Sequence, residues 1–263
     1  DAYATAIADL EAAARYAPTK RIRYIAELDL AFLSGNWRGL SGRLERALAE
    51  PGCLEGNWTP TVVNVIGAAS DYLDLAKTIL ACDALRSLSW FNLSRAQLWA
   101  GDSEEAVRVA REGSDIAPGA WLTMTMVQAL VSNGLYDDAL RVIENDVSDV
   151  YMAHALQLLV AGHRGDKERA DRLFTEYKEK GYADTFFDII VSAWSGNQEE
   201  ANRRAAEMDE HAFGAMSLWQ IANWCQCGSP WNPEVAPNFT AKLREANITW
   251  PPRAPLTFPL KDW

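Results

Sequence analysis

Seven glycines, Gly35, Gly67, Gly101, Gly134, Gly165, Gly196 and Gly228, divide the chain at intervals of 32, 34, 33, 31, 31 and 32 residues. Chance placement of the 16 glycines in this chain seldom produces such a period, so the sequence reads as a repeat array. After five of them a small or aliphatic residue follows five positions later: Leu40, Ala106, Ala139, Ala170 and Ala201. A glycine in the left-handed conformation ends one helix, a polar residue starts the next, and the small residue lets the two pack closely. Each unit is therefore expected to be helix, tight turn, helix.

Local signals agree with that reading. Asp102, Asp166 and Asn197 directly follow a glycine and suit N-caps. Glu104, Glu105, Glu199 and Glu200 fall in the first turn, where the helix dipole favours negative charge. Ala106, Val109 and Ala110, and again Ala139, Val142 and Ile143, recur at i, i+3, i+4 and form one apolar stripe per helix. Such a pair cannot bury its stripe alone, so stability must come from neighbouring pairs.

Trp90, Leu93, Ser94 and Gln97, then Ala106 and Ala110, then Pro118 resemble the tetratricopeptide pattern W-x2-L-G-x2-Y, A-x3-F, P. Ser94 replaces the usual glycine, Gln97 the aromatic residue and Ala110 the large apolar one. The opening "YATAIADLEAAARYAP", with Ala6, Leu10, Ala13 and Pro18, matches the second helix of such a unit, which places a missing first helix upstream of Asp1. The resemblance implies an all-α fold, a right-handed α-α superhelix of about six helix-turn-helix repeats. It would span residues 1–248, with residues 1–18 the second helix of a truncated unit. Residues 53–68 read as the weakest unit because Pro51, Gly52, Gly56 and Pro60 impose a long turn. A capping helix over 238–247 and an extended, proline-rich tail over 249–263, packed on the array, complete the expectation. The tail also resembles the ends of tetratricopeptide regions in bacterial signalling proteins such as membrane-bound adenylate cyclases and winged-helix regulators.

Composition excludes several functions. With 25 Lys and Arg against 36 Asp and Glu, the net charge of -11 leaves no basic surface for phosphate, so nucleic acid is not an expected partner. No apolar run reaches the length of a membrane span. Nucleophile-elbow, phosphate-loop, dinucleotide and zinc-protease motifs are absent, and no cofactor is expected. His154 and His163 lie nine residues apart, about 13 Å along one helix, too far to share a metal. Cys225 and Cys227 read as buried structural thiols, while Cys53 and Cys82 follow successive segments and their pairing is open.

The family resemblance further implies that first helices line a concave groove. The matching positions include Ile25, Asp29, Phe32, Met152 and Ile190, and the expected partner-binding set is Phe91, Arg95, Trp99, Trp121, Met124, Gln128, Phe186 and Trp194. Arg95 alone is basic, which argues against clamping a peptide's terminal carboxylate. These aromatics read either as inter-helix core or as an exposed apolar groove. The expected function is a non-catalytic scaffold that binds a protein or peptide there. The rival is a small-molecule sensor or enzyme with its site near Arg95, Gln128 and His163. The tail is expected to serve as a fixed cap or a displaceable plug, and the N-terminal face offers a route to self-association.

Overall fold

The computed structural model describes residues 2–53, 58–181 and 185–256. Among them all regular structure is helical, with no strand and with sequential helices packed in antiparallel pairs. The chain begins with α1 (Ala2–Tyr16), which packs on α2 (Lys20–Leu33), followed by α3 (Leu40–Ala49). A short α4 (Thr59–Ile66) leads to α5 (Ala69–Cys82), then α6 (Ser87–Ala100) and α7 (Ser103–Ile116). The array continues through α8 (Ala120–Ser132), α9 (Tyr136–Asp146), α10 (Val150–Arg164) and α11 (Lys167–Glu179). It ends with α12 (Thr185–Trp194), α13 (Gln198–Asp209), α14 (Gly214–Cys225) and α15 (Pro237–Ala246).

The periodic glycines act as the turns require. Gly35, Gly101, Gly134, Gly165, Gly196 and Gly228 all have positive φ, between 69° and 90°. Gly67 departs from the series with φ of -88°; there Asp71 holds the turn by accepting the Ala68 N–H at 3.0 Å. Asp102, Asp166 and Asn197 each accept a backbone N–H three residues on, at 3.0, 3.0 and 3.3 Å, and so cap α7, α11 and α13. Leu40, Ala106, Ala139, Ala170 and Ala201 are completely buried, which is what close packing of each pair demands. At Gly113 an added Cβ would stand 2.5 Å from that of Trp90, so only hydrogen fits between α7 and α6 there.

The even-numbered helices form an inner row, in which α6 packs on α8, α8 on α10, α10 on α12 and α12 on α14. The row then returns on itself, because α14 also packs on α4. Trp219 of α14 meets Phe32 and Trp37 at ring-centroid distances of 5.3 and 4.9 Å. Tyr3 of α1 meets Phe213, just before α14, at 5.4 Å. Asp209 caps α15 by accepting the N–H groups of Asn238 and Phe239 at 2.8 Å each, and Lys242 of α15 donates to the Gly35 carbonyl at 3.0 Å.

A disulfide joins Cys53 to Cys82, with Cα atoms 5.6 Å apart, and ties the segment after α3 to the end of α5. Beyond α15 the chain is extended. Trp250 packs on Trp219, Trp231 and Phe239 at 6.0, 6.3 and 4.8 Å, and the Leu256 N–H donates to the Gln226 carbonyl at 3.0 Å. The rest of the expected tail, 257–263, lies outside the described residues.

Candidate functional site

Helix α14 carries no Asp, Glu, Lys or Arg, and nine of its 12 residues are buried. A helix with no charge and this little polar surface has to be enclosed on most sides, and the inner row supplies that enclosure. The last turn of α14 receives side chains from four helices. Asn64 of α4 donates to the Asn223 amide oxygen, and Arg95 of α6 donates to the Asn223 carbonyl. Gln128 of α8 donates to the Trp224 carbonyl at 3.1 Å and accepts from the Gln226 amide. Trp194 of α12 donates from Nε1 to Cys227 Sγ at 3.3 Å. Gln226 takes a left-handed conformation, φ 55°, unusual without glycine, and is tied down at its side chain by Gln128 and at its carbonyl by Leu256.

Burial pushes the Arg95 guanidinium below its ordinary pKa, with the Tyr72 hydroxyl and Cys225 opposing the shift. Burial likewise raises the Tyr72 phenol to about 12 against the pull of Arg95. The charge is tolerated because it faces the C-terminal carbonyls of α14, the negative end of a helix dipole, and lies 5.5 Å from the Phe91 ring centre.

The expected groove residues can now be placed. Arg95, Met124, Gln128 and Trp194 are buried, as are Ile25, Asp29, Phe32, Met152 and Ile190. Phe91 and Trp99 are half-buried, and Trp99 borders a cleft of about 250 Å³ that it shares with Arg253, Ala254 and Pro255 of the tail. The Phe186 side chain lies outside the described residues. Trp121 is 43% exposed and stands edge-on to Trp224 at 6.2 Å. The surface expected to be an open groove is therefore filled by α14. Arg95 and Gln128 spend their hydrogen bonds on that helix and the turn after it. Of the trio proposed for small-molecule chemistry, Arg95 and Gln128 meet at α14, whereas His163 sits on the last turn of α10, its carbonyl accepting from the Tyr136 hydroxyl at 3.2 Å.

A different surface carries exposed apolar side chains. Leu85 lies between α5 and α6; Ile116 and Trp121 flank the turn from α7 to α8; Val150 and Tyr151 open α10 after α9. Leu85 is 82%, Ile116 47% and Val150 56% exposed. Because α6, α8 and α10 run in parallel and pack side by side, these three junctions fall along one rim of the array. The signal was present in the sequence as large apolar residues at consecutive turns, where polar ones are the rule.

Among the described residues no group of three or more His, Cys, Asp or Glu is arranged to hold a metal ion, and no helix is long and apolar enough to cross a membrane. A scan against protein-family models and a search of curated proteins both give no match.

Proposed function

We propose that this chain is a non-catalytic interaction module of the tetratricopeptide-like superhelical kind, which engages a protein or peptide partner along the rim where its outer helices hand over to inner ones. The observation that carries this reading is the run of exposed apolar side chains at three successive junctions: Leu85, then Ile116 with Trp121, then Val150 with Tyr151. Large apolar side chains left exposed at successive junctions of one array are costly to a free protein and suit an interaction surface. Trp121 suits an anchor because Trp224 braces its ring from one side. Helical pairs with a short repeat and tight, capped turns support the superhelical assignment, and the occupied interior directs the partner to the outside.

Photo-crosslinking tests this. A photoreactive residue at Ile116 or at Val150 is expected to trap one discrete partner in cells, and the same residue at Arg172, on the exposed face of α11, is expected to trap none. Equal labelling from all three positions, or no adduct at Ile116 and Val150, would overturn the reading.

A further inference from the structure

The rim has a charge as well as an apolar character. Its three junctions carry the exposed carboxylates Asp83, Asp115, Asp146 and Asp149 against one exposed cation, Arg86. Two of the carboxylates are fixed in place: Asp83 accepts the Leu85 N–H at 3.1 Å, and Asp149 accepts the Met152 N–H at 2.8 Å. The chain as a whole is strongly acidic, with a net charge of -11, so the long-range field adds to the local one.

The rim also has a spacing. Packed helices stand about 8–10 Å apart, so the apolar groups at the starts of α6, α8 and α10 recur at roughly that interval. Seven residues of an α-helix advance about 10.5 Å along its axis. One helix with apolar residues at i, i+7 and i+14 thus presents one side chain to each junction.

We propose that the rim binds a basic amphipathic helix of about 15 residues or more, with apolar groups seven residues apart and Lys or Arg flanking them. This rests on the reading of the rim as the interaction surface and adds the chemistry of the occupant. Leu85, Ile116, Trp121 and Val150 receive the apolar stripe, and Asp83, Asp115, Asp146 and Asp149 receive the cations. An acidic helix of the same apolar pattern is repelled.

The test uses the whole chain and two fluorescein-labelled synthetic helices of about 18 residues. Both carry leucine at seven-residue spacing; one has lysine and the other glutamate at the flanking positions. Fluorescence anisotropy is expected to show the lysine helix binding at least about tenfold more tightly than the glutamate helix. Trp121→Ala is expected to weaken the lysine helix at least about tenfold. Leu85→Asp is the second variant, because its side chain is 82% exposed and its loss is expected to leave the packed helices undisturbed. Replacing Asp83, Asp115 and Asp146 by asparagine is expected to abolish the preference for lysine and flatten the salt dependence.

If both helices bind equally and Trp121→Ala weakens both, the charge selection is overturned while the rim remains an interaction surface. If neither helix binds the folded parent, the proposed occupant is overturned, and crosslinking at Ile116 and Val150 decides the rim separately. If the parent sediments as a dimer that Leu85→Asp dissociates, the occupant is a second copy and the proposal fails.

Discussion

The guanidinium of Arg95, on α6, donates to the backbone carbonyl of Asn223 on the last turn of α14, 128 residues away in sequence. This bond fixes the inner row to the helix it encloses, and it does so with a buried charge. Truncating such a group leaves both a void and an unpaired carbonyl. Arg95→Ala is expected to lower stability by about 3 kcal/mol, read from the urea unfolding midpoint. Arg95→Met keeps most of the volume and removes the buried charge, leaving only the Asn223 carbonyl unpaired, so its loss is expected to be smaller, about 1–2 kcal/mol. Equal losses for the two would show that the charge itself, not the filled space, holds α14.

Trp250 decides whether the tail is a fixed cap. Its ring contacts three aromatic side chains of α14, α15 and the segment between them. Trp250→Ala is expected to lower global stability by about 2 kcal/mol, below the full cost of truncating a completely buried Trp because this ring is half-buried. A displaceable plug would behave otherwise: the unfolding midpoint would hold, and only proteolysis within 249–256 would accelerate.

The Cys53–Cys82 disulfide closes a loop with a sequence separation of 29. By the chain-entropy argument a loop of that size contributes about 3.6 kcal/mol through the unfolded state. Reduction is expected to lower stability by that amount. The Cys53→Ser/Cys82→Ser double variant should start from the reduced value and be insensitive to dithiothreitol, as read by urea titration.

Glu200 predicts a response to acid. Hydrogen bonds from Arg203 and then Arg204, with the charges of Arg203 and Lys178, hold its carboxyl at about 2, below its ordinary 4.5. The folded pKa lies below the unfolded one, so the contribution to stability is complete above 4.5 and is lost as the pH falls toward 2. Thermal melts of the parent are expected to drop progressively between about pH 5 and about pH 2, and those of Glu200→Gln to drop less. Parallel curves for the two proteins would remove Glu200 as a source of the acid response.

The helical pairs were legible in the sequence because local chemistry writes them: positive-φ glycine, the Asp102 and Asp166 caps, and a buried alanine five residues past the turn. The occupied interior was not, because period and propensity describe a helix and its neighbour, and α14 is defined by contacts with α4, α6 and α8, which are distant in the chain. A clue existed in the uncharged run from Gly214 to Cys225, which no half-exposed last helix would tolerate. Trp194 and Trp121 show the same limit. Both are aromatic residues on inner helices, Trp194 at the end of α12 and Trp121 at the start of α8, yet one is completely buried against the turn after α14 and the other looks out at the rim.

The contact between Lys242 and the Gly35 carbonyl brings α15 against the turn after α2. Open arrays of helical pairs gain or lose a unit with little penalty, since each pair answers only to its neighbours. Here the count is locked. One more pair, or one fewer, would carry α14 past α4 and break the Asn64–Asn223 pair, the Trp37–Trp219 contact and the seat of α15 together. The number of pairs between α4 and α14 is therefore constrained as a unit, and change within that stretch is expected in its turns and outer faces rather than in its helix count.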